Sequence, residues 1–233
     1  MKILGIDSSA KSASAAITDA DKILGYFYTN TGLTHSQTLM PMIESLLKYS
    51  NTSLDDIDLI AVNKGPGSFT GVRIGVAAAK GLADVKKIPV CGTSTLESMA
   101  YNLVDIDCIA CCVMDARCNQ VYNAIFDITD GKITRLTPDN ADSIENATEE
   151  LKKYKKIKFF VGDGAEICYN KLNGESDIRI AAPSDRFQSA VGVCFCAMNA
   201  SRDQYIDSAL LVPEYLRLPQ AERELNKKLS KGV

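Results

Sequence analysis

The stretch from Leu59 to Ala83, "LIAVNKGPGSFTGVRIGVAAAKGLA", limits the fold more than any other part of the chain. An apolar run enters a turn of three glycines and a proline, then a segment of small residues that reads as a helix. Strand, glycine turn and helix in that order belong to an α/β layer, in which the helix covers a sheet. A turn of this kind can present backbone N–H groups at a helix N-terminus and hold an anion, or it can simply be tight. It is not a Walker loop, because "GPGSFTG" lacks the Gly-Lys-Ser/Thr ending.

Around this unit the first half reads as three strands, Lys2–Asp7, Ser12–Thr18 and Lys22–Tyr28, with the turn "DAD" between the second and third. A helix follows, with Leu39, Ile43, Leu46 and Leu47 as its apolar stripe and Thr34 and Gln37 at capping-box spacing. After the strand "DLIAV" come a helix over Gly71 to Asp84, a short strand "IPVCG", and a helix near Thr95 with Ser94 and Glu97 as a second capping box. The second half repeats the scheme weakly but in order. "IACCVMDARCNQVYNAIFDITDGKIT" gives two strands, a turn and a third strand, and Asp115 stands near the end of its strand as Asp7 does in the first half. "FFVGDGAE" again runs an apolar strand into a glycine turn. The expected architecture is an internal duplication of a βββαβα unit. Residues 1–103 form one lobe, 104–217 a second, and 218–233 a charged tail with Ala221, Leu225 and Leu229 on one side.

A chain of 233 residues can bury one sizeable core or two modest ones, and its net charge of −3 gives no basis for holding RNA or membrane by charge alone. The basic run "KKYKKIK", Lys152 to Lys158, lacks interleaved aromatics and reads as a solvated helix end. No segment approaches the ~18 apolar residues of a membrane span, so a cytoplasmic protein is expected. The eight cysteines include Cys108 and Cys111 at redox spacing, but on a strand residues three apart face opposite ways. Cys194 and Cys196, two apart on a helix, do not face each other either. Buried, reduced thiols are expected, with no metal and no disulfide.

Two such units with a cleft between them can bind a nucleotide. In that reading Asp7 holds Mg²⁺ through water, Ser8 and Ser9 approach phosphate, and Gly65, Gly67 and Gly71 shape a second phosphate loop. The plainer reading of Asp7 is a strand-end carboxylate bonded to its own turn. The single histidine, His35, sits at a helix start, where capping or packing competes with a functional role. No G-x-S-x-G motif is present, and no nucleophile has an evident base, so no catalytic residue is assigned.

"ILGIDSS", "THSQTLMPMI", "IAVNKGPGSFTGVRIGVAAAKGLA", "GTSTLESMA", "MDARCNQVY" and "VPEYLR", in this order from residue 1 to about 217, resemble the TsaB (YeaZ) family. The resemblance implies an actin-like ATPase (ASKHA) fold of two RNase H-like lobes. It also implies a dimerisation subunit that pairs with TsaD, a paralogue transferring threonylcarbamoyl to N6 of adenosine 37 in tRNAs that read codons beginning with A. The TsaE ATPase, and tRNA itself, are reached through that complex, and self-association is expected without TsaD. TsaD-like proteins carry His-x-Glu-x-His where this chain has "TLESM". Thr95 and Met99 stand at the histidine positions, and neither side chain replaces an imidazole on a divalent metal. The resemblance thus requires no cofactor of this chain, and puts any ATP or ADP with Mg²⁺ at the interface of the complex.

On this basis the glycine loop is a retained turn that supports an interface, and Met40, Ile43, Gly71, Gly75, Ala78 and Leu82 are the expected partner surface. Lys80 lies about 200° around the helix from Ala78, away from that surface. The alternatives are an ATPase or small-molecule kinase using Asp7 and the Gly65–Gly71 loop and, last, a peptidase, for which neither a zinc pair nor a nucleophile–base pair is present.

Overall fold

A computed structural model describes residues 1–172 and 175–217; the expected tail lies outside the described residues. The first half runs β1 (Lys2–Asp7), β2 (Ala13–Asp19), β3 (Lys22–Thr29), α1 (His35–Tyr49), β4 (Leu59–Gly65), α2 (Phe69–Lys86), β5 (Val90–Ser94) and α3 (Thr95–Ala100). The second runs β6 (Cys108–Asp115), β7 (Gln120–Thr129), β8 (Lys132–Arg135), β9 (Asn140–Ser143), α4 (Ile144–Leu151), β10 (Lys158–Val161), α5 (Ala165–Lys171), β11 (Ile178–Ile180) and α6 (Ala190–Asn199). The sheets are β3-β2-β1-β4-β5 and β11-β10-β6-β7-β8, with β9 added beside β7. In each, the leading strand pairs antiparallel with the next and parallel with the strand that follows the first helix. The duplication is therefore present in the pairing as well as in the order of elements, and β9 is the one strand that breaks it.

Where the chains of apolar residues go explains the layers. Leu39, Ile43 and Leu46 of α1 and Val72, Val76, Ala79 and Ala83 of α2 meet Leu4, Ile6 and Val62 on the outer face of the first sheet. The inner face of that sheet, with Ile3, Ala16, Leu59 and Cys91, is covered by Ala190, Val193, Cys194 and Ala197 of α6. Conversely Leu96, Met99 and Ala100 of α3 pack on Cys108, Cys112, Ala124 and Phe126 of the second sheet. Each half thus contributes its last helix to the other's sheet. A boundary at residue 103 divides two sheets, not two independently buried cores.

Local signals mostly hold. Thr34 is the residue before α1, but its side chain caps nothing, and the Gln37 amide bonds the Thr34 carbonyl instead at 3.0 Å. Ser94 does accept from the Glu97 amide at 3.2 Å, while the Glu97 carboxylate turns to Arg135 at 2.7 Å rather than closing the box. Ser68 caps α2 by accepting from the Gly71 amide at 3.3 Å, which starts the helix two residues earlier than expected. The lysines of "KKYKKIK" are largely engaged at home: Lys152 with Glu149 at 2.7 Å, Lys156 with Asp127 at 2.6 Å, and Lys158, 3% exposed, with Asp177.

Cys108 and Cys111 face opposite sides of their sheet, as period two requires. All eight cysteines are free, and only Cys118 is exposed. Burial pushes the thiols of Cys91 and Cys108 up to about 11 and those of Cys168 and Cys194 up to about 12, so they stay protonated and inert at neutral pH. An aromatic disulfide reagent should therefore titrate one thiol in the native protein and all eight after unfolding without reductant. Cys118→Ser should remove the fast one; fewer than eight after unfolding would reveal a disulfide.

Candidate functional site

Three of the elements around the glycine loop converge on the turn after β1. Asp7, the last residue of that strand, is fully buried. Its Oδ1 accepts from the Ser9 hydroxyl at 2.7 Å, the Asn63 side-chain amide at 2.9 Å and the Ser9 backbone amide at 3.2 Å. Its Oδ2 is buried with no partner among the described residues. Burial raises the Asp7 carboxyl above its ordinary value; the bonds from Ser9 and Asn63 oppose that rise. Of the readings given to Asp7, this geometry is that of a strand-end carboxylate bonded to its own turn and to the end of β4.

The glycines receive that turn. The Ser8 hydroxyl donates to the Gly71 carbonyl at 2.8 Å, and the Ser68 amide donates to the Ser9 carbonyl at 2.6 Å. A Cβ at Gly67 would overlap the Ser9 carbonyl oxygen, one at Gly71 that of Ser8, and one at Gly75 the Ser8 hydroxyl at 2.5 Å. His35 closes the arrangement from α1, its Nε2–H donating to the Ala10 carbonyl at 2.7 Å. Asp7, Ser8, Ser9, Gly67 and Gly71 are thus brought together. Gly65 is set apart: its φ of +133° and the Glu214 carbonyl packed against it both call for glycine.

Such a cluster does not fit a phosphate. The Ser8 and Ser9 hydroxyls are committed within the protein, as are the amides of Ser68 and Gly71, and what faces Gly65, Gly67 and Gly71 is carbonyl oxygen. Carbonyl dipoles repel an anion. No step through Mg²⁺ or a nucleotide is derived from these residues. Among the described residues no three His, Cys, Asp or Glu side chains stand close enough to hold a metal ion.

The expected partner surface divides. Met40, 46% exposed, and Leu82 line an apolar groove of about 380 Å³ between α1 and α2, together with Pro41 and Leu47. Ala78 lies one helical turn before Leu82 and is partly buried. Gly71 and Gly75, however, face inward on Ser8, so their small size serves the molecule's own turn. Ile43, 1% exposed, touches the groove only at its floor and is chiefly core. Lys80 is not free on the far side: its ammonium donates to the carbonyls of Ala209 and Leu211 at 3.0 Å each.

Those carbonyls belong to a strap, residues 205–217, to which sequence reasoning gave no role although "VPEYLR" lies within it. Val90 and Ile206 exchange two backbone bonds of 2.9 Å. Leu211 enters the core beside α2, and the Glu214 amide donates to the Lys64 carbonyl at 2.7 Å. Tyr215 stacks on Phe69 at 3.8 Å between ring centroids and accepts from Arg73 at 2.8 Å. Arg217 then donates to the Ala116 carbonyl of the second half at 2.7 Å. An apolar pair, Ile206 and Leu211, after the last helix was the available signal.

This geometry can be set beside known proteins. Residues 25–227 match the family model described as tRNA N6-adenosine threonylcarbamoyltransferase, TsaD. A tRNA threonylcarbamoyladenosine biosynthesis protein TsaB from Bacillus subtilis is 32% identical over 226 residues, 95% of this chain and 96% of the relative. The chain belongs to the TsaB family. A Pseudomonas aeruginosa structure described as similar to the peptidase YeaZ superposes with a TM-score of 0.80 at 24% identity, over 93% of this chain and 99% of that one. A Clostridium difficile activator of 2-hydroxyisocaproyl-CoA dehydratase, solved with bound ADPNP, gives 0.51 at 10% identity over 88% and 96%. The fold is the actin-like one that the sequence resemblance implied. No helix among the described residues is long and apolar enough to cross a membrane.

Because the Asp7 carboxyl is raised, the folded state holds its proton more tightly than the unfolded chain. That contribution to stability is complete below the ordinary aspartate value of 3.8 and is lost as pH rises through the folded value. Asp7→Asn keeps an acceptor for Ser9 and Asn63 and removes the buried charge. It should melt higher than the parent at pH 8, at ~2–4 °C per kcal/mol for a chain of this length. The gap should close toward pH 4; a lower melting temperature at pH 8 would mean that the charge itself is needed.

Proposed function

We propose that this chain is the non-catalytic subunit that pairs with a TsaD-type transferase for threonylcarbamoyl transfer to N6 of adenosine 37 in tRNAs reading codons that begin with A. The observation that carries the reading is the α1–α2 groove: an apolar recess on the outer face of the first sheet, flanked by exposed Met40, on a chain of a family named for this modification. Apolar surface left uncovered in this way marks a protein-binding site. Thr95 and Met99, at the positions of the paralogue's metal-binding histidines, are both fully buried, Met99 in the apolar core, which supports a scaffold over a metal-dependent transferase. The commitment of the glycine loop to the Ser8–Ser9 turn supports it over an ATPase or kinase acting through Asp7. A TsaE-type ATPase and tRNA would then be engaged through the complex, any nucleotide would depend on the partner, and the same groove would serve self-association when the partner is absent.

Reconstitution tests the reading. Mass spectrometry of tRNA nucleosides should show the modified adenosine only when a TsaD-type transferase, a TsaE-type ATPase, a threonylcarbamoyl-adenylate supply and this chain are combined. Modification by this chain alone, or ATP turnover by it at enzymatic rates, would overturn the scaffold assignment.

The groove has its own test. Ala78→Arg places a long cation one helical turn from Leu82 of the recess, where association would require its desolvation, and should weaken both self-association and TsaD binding by about a hundredfold, ~2.7 kcal/mol. Lys80→Ala cannot serve as its control, since it loosens the strap; Lys153→Ala, on the other half, should leave sedimentation of the pair unchanged. Native circular dichroism with undiminished binding in Ala78→Arg would place the interface elsewhere.

A further inference from the structure

Beyond the carboxyl ends of β4 and β5, between the strap and the segment after β8, lies a cleft of about 670 Å³. Its walls are apolar at Ile206, Leu210, Val212 and Pro138. It shares Gly92, Ser94 and Gln204 with a second, polar recess of about 210 Å³ that reaches inward to Glu97, Tyr101 and Asn199. The size is that of a small-molecule site, and the carboxyl ends of parallel strands are where open α/β sheets place their ligands.

The charges decide what the site can take. Lys64 and Arg135 are the two cations of the lining, against the carboxylates of Asp139, Glu214 and Glu97. Both cations are spoken for. Lys64 pairs with Glu214 at 3.0 Å, and Arg135 bridges Glu97 at 2.7 Å and Asp139 at 2.5 Å. Asp139 also accepts from the Ser94 hydroxyl at 2.5 Å, whereas Glu97 has only Oε2 bonded among the described residues. The lining thus carries one carboxylate more than it has cations, with Glu97 and Asp139 sharing Arg135, and on the Glu97 side the recess is lined by hydroxyl and amide groups. Among the described residues an anion would find no free cation, whereas a cation finds a carboxylate with unused capacity and neutral acceptors beside it.

We propose that this two-chambered cleft binds a small organic cation, a primary ammonium or guanidinium on an apolar stem, with the charged head against Glu97 and the stem along Leu210, Val212 and Pro138. The site is independent of the α1–α2 groove, so the scaffold reading stands or falls without it. The same chemistry is offered by a free amine and by a lysine or arginine side chain within a peptide.

The test is amide NMR on the full chain, titrated with agmatine, with the blocked peptide acetyl-Val-Arg-Leu-amide, and with glutarate as the anionic counterpart. Saturable shifts at Gly92, Ser94 and Gln204 are expected with the two cations and not with glutarate. Tighter binding of the peptide would identify a partner's side chain as the source; equal or tighter binding of agmatine would identify a free amine. Glu97→Gln retains the Ser94 cap and should weaken binding on the order of tenfold. Gln204 is exposed, so Gln204→Arg should fold normally and block the recess with its own guanidinium. Raising the salt should weaken binding, as screening of a charge pair requires. No saturable shift by about 50 mM, a Kd scale of only ~1.8 kcal/mol, would overturn the proposal. So would undiminished binding in Glu97→Gln, or glutarate binding as well as the cations.

Discussion

The whole molecule hangs on how closely α3 and α6 can lie between the two sheets. Gly192 of α6 sits against the Ser98 carbonyl of α3, and Gly5 of β1 sits against the Ala190 carbonyl and the Cys194 sulfur of α6, where a methyl group would collide. Small residues at both contacts let one central layer fill the space between two sheets at the density of a protein interior. Without those contacts the inner faces of both sheets would be left uncovered, and the cleft between the halves would have no floor.

Much of this was legible, for reasons that can be assigned. Strands such as β1 and β6 are continuous apolar runs closed by an aspartate, and their period of two placed Cys108 and Cys111 on opposite faces before any contact was seen. The α1 stripe and the Gly71 to Asp84 segment announced helices through spacing and small side chains, the second starting two residues later than it does in the fold. What sequence could not show is which surface a small residue serves. Gly71, Gly75 and Ala78 look alike along the helix, yet two of them receive the Ser8 side of a turn sixty-odd residues away in the chain, and the third is half-buried against the core of the first sheet. Lys80 is similar: helical angle alone placed it opposite Ala78, and only the fold brings two strap carbonyls to its ammonium.

The glycine loop is packed against a turn of its own chain. The Ser8 hydroxyl and the Ser9 carbonyl bond the loop, while the Ser9 hydroxyl and amide and the side-chain amide of Asn63 bond one oxygen of Asp7. The loop is satisfied by its own chain, which keeps the turn rigid. Rigidity there fixes the start of α2, and with it the relative placement of α1 and α2 that creates the groove holding Met40 and Leu82.

The strap and α6 also set an order in time. The inner face of the first sheet, built from residues such as Ile3 and Ala16, is covered by a helix that begins far later in the chain, at Ala190. Leu211 completes the other face from still later in the chain. The first sheet therefore cannot finish burying its faces until α6 and Leu211 have been made, and its apolar surface stays uncovered while the second sheet is synthesised. For a chain of this size that interval is when aggregation competes most strongly with folding. The codons for α6 and the strap thus govern the fate of β1 and β2.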